Sequence, residues 1–457
     1  MLKIRNKKNA GKIYGAFLMC IGLILGLFGY RVVSGNTVTP MSDGQIIMKS
    51  NQYQFGAVYD RKDELIVCGE GSDVSWESER IRQSFEEQLG INIEDILNSR
   101  ITVCGNTPWL FGTEDNRFSI YNLVHPGAAR YGGSVRLTMD KDLQVYVNEY
   151  IKSLGYEDAY VVISNYKTGE ILALYGNVFK DEMHPGSTLK PILAVSALSV
   201  DSNVKGYVYD CTNENHNFMT ESGPFRINCA GGATHGRMTM EDGLAYSCNG
   251  YFISMLQLVD KEKMIEELKK WGFDDIVYYS QFMYWDHSFL KNSKEDSDYL
   301  LAAIGQANAY ITPAGLNFCT NALLNHGVMV EPIWFSHKKV SQNGEWIMVN
   351  TAQSSKTMCT TENADMILQM MQEVTSRGTG QSFYVPGFAA KTGTAQKSNE
   401  DGELTDLYTV WTTGGLVDED NPYSITVCLD NVTSDVNSSD AGKVAQQLLL
   451  YMMEGGQ

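Results

Sequence analysis

The spacing of apolar and polar positions changes along the chain, and each change marks an element. Ile13–Tyr30 is an uncharged run rich in Leu, Ile, Phe and Gly. Its eighteen residues meet the lower end of what crosses a hydrocarbon core of about 30 Å. The run has no polar stripe to mark a buried core helix. Residues 34–134 carry mixed signals: Glu77–Leu89 and Ile93–Asn98 read as helices, Gly56–Val67 and Arg100–Val103 as strands. The pattern then sharpens. Leu143, Val147, Tyr150 and Ile151 share one face of a helix that Asp140 can cap. Ala159–Ser164 and Glu170–Tyr175 are β-rich runs joined through Gly169, a hairpin signature. About two hundred residues of mainly helical pattern follow, including Lys261–Trp271, which Gly272 stops. Strand character returns in Phe388–Ala395, Tyr408–Leu416 and Tyr423–Leu429, and a helix over Ala441–Met453 closes the chain. These elements predict an α+β fold. An antiparallel sheet built from an early hairpin and three late strands is covered by a helix from each end, with a large all-helical insertion between them. No internal repeat is visible.

Composition narrows the classes. The 457 residues are 43% hydrophobic and 20% charged, a globular balance with room for two or three domains. A net charge of −18 argues against nucleic acid as a partner, because phosphate binding needs a basic face. The first 31 residues nevertheless hold six Lys/Arg and no acid. Lys3, Arg5, Lys7, Lys8 and Lys12 precede the apolar run, so the positive-inside rule leaves residues 1–12 in the cytoplasm and the body outside. Arg31-Val32-Val33 offers no small-x-small cleavage site, and Cys20 lies within the run rather than after it. An uncleaved membrane anchor over 13–33 is the reading. The nine cysteines form no CxxC pair and the seven histidines no HExxH, so no metal or cofactor pattern emerges. Cys211 and Cys229 flank a short polar segment and are the one pair nominated for a disulfide, with buried free thiols as the alternative.

Candidate chemistry rests on three short motifs, each cheap alone. Ser-x-x-Lys begins at Ser164, Ser187, Ser202, Ser288 and Ser336; Lys-Thr-Gly occurs at 167–169 and 391–393; Ser-x-Asn begins at Ser34, Ser247 and Ser341. On a helix, a serine and a lysine three apart share a face, and a neutral lysine can take the hydroxyl proton. Ser164 and Lys167 straddle a hairpin turn, and the Ser202, Ser288 and Ser336 copies sit in polar or irregular surroundings. Ser187 instead follows Pro185-Gly186 and precedes an apolar helical body. Pro191 is tolerable only if the helix starts near Ser187, because proline lacks the amide an interior position donates. The hydroxyl thus sits at a helix N-terminus, where dipole and free amides favour developing negative charge. Ser247 lies at a junction between two helices. Lys391-Thr392-Gly393 lies on a strand, where glycine admits a close-lying substrate backbone. Singly, Ser187 or Asn249 could cap a helix and Lys391 could be a solvated charge. In order, each on the element its chemistry needs, they favour catalysis.

Ser187-x-x-Lys190, Ser247-x-Asn249 and Lys391-Thr392-Gly393 resemble the three motifs of penicillin-interacting serine enzymes. The resemblance covers about residues 135–457. Val135–Asp140, Gly169–Leu174, His235-Gly236, Gly305-Gln306, Thr312-Pro313 and Gly378-Thr379-Gly380 are similar to stretches of class B penicillin-binding proteins, the monofunctional peptidoglycan transpeptidases. Gly56–Arg61 is similar to the opening of that class's N-terminal region. Ala307 stands where the family often has glycine, Phe55 replaces a usual arginine, and the region before the catalytic domain is short.

The resemblance implies a cytoplasmic tail at 1–12, an anchor at 13–33, a small pedestal domain at 34–134 and a penicillin-binding transpeptidase domain at 135–457. It implies that Ser187 attacks a D-Ala-D-Ala stem peptide with Lys190 as base, and that Ser247, helped by Lys391, protonates the leaving group. Asn249, Thr392, Gly393 and Thr394 then bind substrate, with no metal and no cofactor. The implied partners are peptidoglycan stem peptides, β-lactams as inhibitors, membrane lipid and a membrane-embedded glycan polymerase. A β-lactamase, a D,D-carboxypeptidase and a non-catalytic cell-wall scaffold are the alternatives. No Glu-x-x-Leu-Asn segment supplies a class A deacylation base between Asn249 and Lys391.

Overall fold

The computed structural model describes residues 57–70, 73–89, 134–275, 277–279, 282–285, 287–291, 293, 296–339, 345–348, 354–399 and 403–455. The expected anchor, the Ile93–Asn98 helix and the Arg100–Val103 strand lie outside them. Among the described residues, no helix is long and apolar enough to cross a membrane.

The predicted five-stranded sheet is present. Its order is Phe388–Ser398, Leu404–Leu416, Tyr423–Val432, Asp158–Asn165 and Ile171–Tyr175, antiparallel throughout. Successive side chains point to opposite faces, so each strand feeds two cores. Val161, Ile163, Val427, Leu429 and Val410 meet Leu143, Val147 and Ile151 of helix Lys141–Leu154, and Val444, Ala445, Leu448 and Leu449 of helix Ser438–Met453. The first helix starts after Asp140 as expected, whereas the second starts at Ser438, three residues before the expected Ala441, because Asn437 caps it. The Asp140 carboxylate accepts from Asp142 N and Leu143 N, and Asn437 forms a capping box with Asp440.

The opposite face packs on helix Pro313–Leu324, which is buried along its whole length. A polar seam crosses that contact. Ser164 Oγ donates to Asn317 Oδ1 at 2.6 Å, Asn321 Nδ2 donates to Ser164 Oγ, and Thr320 meets Thr413 at 2.8 Å. Ser164, the first Ser-x-x-Lys candidate, is therefore consumed by packing.

Two expectations change. The insertion between the early hairpin and the late strands is not all-helical. It contains the hairpin Asn217–Thr220/Gly223–Arg226 and the pair Tyr209–Cys211/Gly236–Met238. These strands have three or four residues, too few to print an alternation. Gly56–Val67 is not one strand. It is a hairpin of Ala57–Tyr59 and Leu65–Glu70, broken where the buried Asp60 carboxylate accepts from Lys62 N and Glu64 N, both at 2.8 Å.

That hairpin belongs to a second, six-stranded sheet: Ile347–Met348, Phe335–Lys339, Ser134–Leu137, Ala57–Tyr59, Leu65–Glu70 and Asp73–Trp76. Ser134–Leu137 pairs in parallel with Ala57–Tyr59 and antiparallel with Phe335–Lys339. Early and late segments of the chain thus share one sheet.

Candidate active site

Three elements converge at the edge of the five-stranded sheet. The first is a 3₁₀ turn, Gly186–Leu189, running into helix Lys190–Val200. Pro191 falls in the helix's first turn, where no amide is missed, which leaves Ser187 at the entrance as its sequence requires. The body from Lys190 to Leu198 is buried on all sides, so this helix is the rigid centre of the domain.

The second element is the corner between helices Met240–Ala245 and Asn249–Leu258. A capping box between Thr239 and Asp242 starts the first helix, and Cys248 caps the second. Ser247 between them has φ 56°, a left-handed conformation that costs a non-glycine residue about 1–2 kcal/mol. Arg377 braces the corner from behind, reaching Glu241 at 2.6 Å and Asp242 at 3.0 Å.

The third element is strand Phe388–Ser398, which carries Lys391, Thr392, Gly393 and Thr394. Gly393 has a packing role that its sequence does not announce. A Cβ there would lie 2.7 Å from Pro185 O and 2.8 Å from Thr188 Cγ2, so the glycine lets the strand approach the turn that carries Ser187. Gly186, at φ 54°, completes the contact, since its Cβ would lie 2.7 Å from Thr394 O. The residue preceding Ser187 is thereby seated against Thr394.

The polar groups converge on Ser247. Lys190 Nζ donates to Ser247 O and to Asn249 Oδ1, both at 2.8 Å, and lies 3.3 Å from Ser247 Oγ. Lys391 Nζ donates to the same Oγ at 3.0 Å and to Thr392 O at 2.9 Å. Asn249 Nδ2 donates to Asn228 O. Both lysines are fully buried, at 0% exposure, while Ser187, Ser247 and Asn249 are half-buried and Thr394 is exposed. The reacting hydroxyls are thus reachable and the cations are not.

Burial pulls Lys190 down to about 8. Burial also pulls Lys391 well below its ordinary value, and the neighbouring Lys190 ammonium lowers it further. Two cations withdrawn from water around one hydroxyl favour a state in which one lysine is neutral, which is what a base requires.

Lys190, Ser247, Asn249, Lys391 and Thr392 are joined by hydrogen bonds, while Gly393 and Thr394 pack against Pro185, Gly186 and Thr188, the residues that flank Ser187. Thr379 belongs with them. Its hydroxyl meets that of Thr392 at 2.6 Å, and its amide donates to Ala245 O at 3.0 Å. Its signal was the Gly378-Thr379-Gly380 stretch, in which Gly378 has no room for a Cβ against Ala245 O. The expected disulfide is absent: Cys211 and Cys229 are free, their sulfurs 3.8 Å apart where a bond needs about 2.05 Å.

The penicillin binding protein transpeptidase domain family matches residues 159–453, which include all three motifs. The chain belongs to this family. Among relatives of the chain, the FtsI homolog of Mesostigma viride, a peptidoglycan D,D-transpeptidase, is 25% identical over 69% of the chain and 60% of its own length. Penicillin-binding protein PbpB of Mycobacterium tuberculosis is 24% identical over 80% and 60%. The chain spans about 60% of the length of these relatives. Penicillin binding protein 3 of Mycobacterium tuberculosis has a similar structure, with a TM-score of 0.69 at 20% identity, over 88% of this chain and 96% of that one. Its aztreonam complex gives 0.68 at 19% identity, over the same shares. The transpeptidase fold is shared with these structures.

Proposed function

We propose that the chain is a peptidoglycan D,D-transpeptidase, held by the 13–33 segment on the outer face of the cell membrane. The expected divisions are a tail at 1–12, a pedestal at 34–134 and a transpeptidase domain at 135–457. The carrying observation is the pair of buried lysines on one serine hydroxyl. Lys190, neutral in part, removes the Ser187 proton as that oxygen attacks the carbonyl of the penultimate D-alanine. The amides of Ser187 and Thr394 hold the developing oxyanion. Ser247 passes a proton to the leaving D-alanine, and Lys391 keeps that hydroxyl oriented. Asn249 holds the substrate amide, and the Thr392 and Thr394 hydroxyls hold the terminal carboxylate. An amine from a neighbouring stem peptide resolves the acyl-enzyme. No metal or cofactor takes part in these steps, and a membrane-embedded glycan polymerase is the proposed partner. β-Lactams mimic the donor, in keeping with the aztreonam complex of the similar Mycobacterium tuberculosis protein.

A fluorescent penicillin tests this reading. Covalent labelling that Ser187→Ala abolishes supports it, and labelling that survives the substitution refutes the nucleophile. A label lasting hours favours the transpeptidase, whereas release within minutes indicates a β-lactamase.

A further inference from the structure

Directly beneath Ser247 lies a cluster that the acyl-transfer chemistry does not use. Cys211, Cys229, Cys248 and His235 place their ligand atoms within 4.8 Å of one another. The three cysteines are buried, at 0%, 3% and 0% exposure. We propose that these four residues bind one zinc ion as a structural site.

The distances carry the argument. Thiolates about 2.3 Å from a tetrahedral zinc stand about 3.8 Å apart, and a thiolate and an imidazole nitrogen about 3.5 Å apart. Cys211–Cys229 and Cys229–Cys248 are each 3.8 Å between sulfurs, and Cys211 Sγ lies 3.5 Å from His235 Nδ1. Disulfide bonding is a poor alternative, because three mutually close thiols leave one unpaired whichever two join. Buried apolar thiols would have no reason to gather a histidine. Four protein donors fill a tetrahedron and leave no open position, which makes the site structural rather than catalytic.

The surroundings suit a metal. His216 Nε2 stands 3.3 Å from Cys211 Sγ, placed to donate to a metal-bound thiolate. The donors come from separate parts of the insertion. Cys211 ends a strand paired with Gly236–Met238, Cys229 precedes a 3₁₀ turn, and Cys248 opens helix Asn249–Leu258. Cys248 is also the middle residue of Ser247-Cys248-Asn249, so the ion would tie this insertion to the corner where both lysines meet. The sequence expectation of no metal site came from the absence of CxxC. Separations of 18, 6 and 13 residues match no common zinc spacing, and only the fold assembles them.

This inference stands apart from the transpeptidase reading, since metal content does not depend on acylation. The test is elemental analysis of the full-length chain purified without chelators, followed by exchange into cobalt(II). The expected result is about one zinc per chain and, with cobalt, a thiolate charge-transfer band with intense tetrahedral d–d bands. Cys211→Ser, Cys229→Ser and His235→Ala should each lose most of the metal, while Cys319→Ser, a buried cysteine elsewhere, and His216→Ala should keep it. Wild-type chain that carries no zinc and, when reduced, gives no thiolate–cobalt band would overturn the site. So would a Cys211–Cys229 or Cys229–Cys248 disulfide in the native protein. Metal retained by His235→Ala but lost by His216→Ala would overturn the donor set.

Discussion

Lys190 leaves water completely on folding, and its ammonium donates to the Ser247–Asn249 corner. With its pKa drawn from 10.5 to about 8, it is mostly protonated at neutral pH and becomes an effective base as pH rises. The second-order rate of penicillin acylation should therefore climb between pH 6 and 9 with a midpoint near 8. A flat profile across that range would remove Lys190 as the base. The linkage has a matching sign. The folded chain binds fewer protons than the unfolded one between about 8 and 10.5, so this lysine's cost to stability is greatest below 8 and relieved above 10.5. Ala307 raises a second question at this scale. It stands where the family often has glycine, and its φ is 56°. A left-handed alanine costs about 1–2 kcal/mol, and glycine returns about 0.4–1 kcal/mol of that through the freer unfolded chain. Ala307→Gly should therefore stabilise by about 0.5–1 kcal/mol in denaturant unfolding, and a loss of stability would mean that the methyl packs usefully.

Among the elements, the contact between strand Phe388–Ser398 and the nucleophile turn sets how far Ser187 lies from its partners. Gly393→Ala would drive a methyl to 2.7 Å from Pro185 O and 3.1 Å from Thr188 N, both backbone atoms that yield only if the turn moves. Acylation should fall by about 100-fold, the scale of a 1 Å misplacement at a reacting centre, at a stability cost of about 1–3 kcal/mol. Labelling kinetics and urea unfolding separate the two effects, and an unchanged rate would show that the turn adjusts freely. This contact also shows where sequence reading stops. Helices Lys141–Leu154 and Ser438–Met453 were legible because each is long enough to repeat its period and carries its own cap, and the five strands because their β-rich runs stand between turn residues. The gathering of Lys190, Ser247, Asn249 and Lys391 was legible only from the motifs taken in order, since Ser187 lies in a four-residue 3₁₀ turn and Ser247 in a left-handed corner, neither long enough for a period. The packing constraint on Gly393 was not legible, because only the folded turn reveals what fills its Cβ position. The Tyr209–Cys211 and Gly236–Met238 strands are too short for a pattern, and with them the cysteine cluster stayed hidden.

Over the described residues, the early segment is bound to the part that carries the three motifs by more than chain connectivity. Val58, Ile66, Ile81 and Phe85 share one core with Val135, Leu137, Met139 and Val145. Buried Gln144 joins the parts, donating to Ser84 O at 3.1 Å and Leu174 O at 2.8 Å while accepting from Leu174 N at 2.9 Å. Surface ion pairs such as Lys62–Asp140 and Arg80–Glu149 cross the same boundary, but exposed pairs contribute about 0–1 kcal/mol each, so packing dominates. A fragment beginning at residue 134 would uncover Val135, Leu137 and Val145, strip Ser134–Leu137 of its parallel partner and cost the Gln144 amide its bond to Ser84 O. One fully buried aliphatic or aromatic side chain is worth about 1.5–3 kcal/mol. Compared with a fragment beginning at 57, the shorter one should lose at least about 2 kcal/mol, a fall of about 2–3 °C in Tm, and bind an apolar dye. The five-stranded sheet and all three motif elements remain in the shorter fragment, so penicillin labelling at low temperature should persist. Equal Tm values would show that the shared sheet carries no stability and that the two regions fold independently. A shorter fragment that is folded yet takes no label would show instead that the early segment reaches the acylation site.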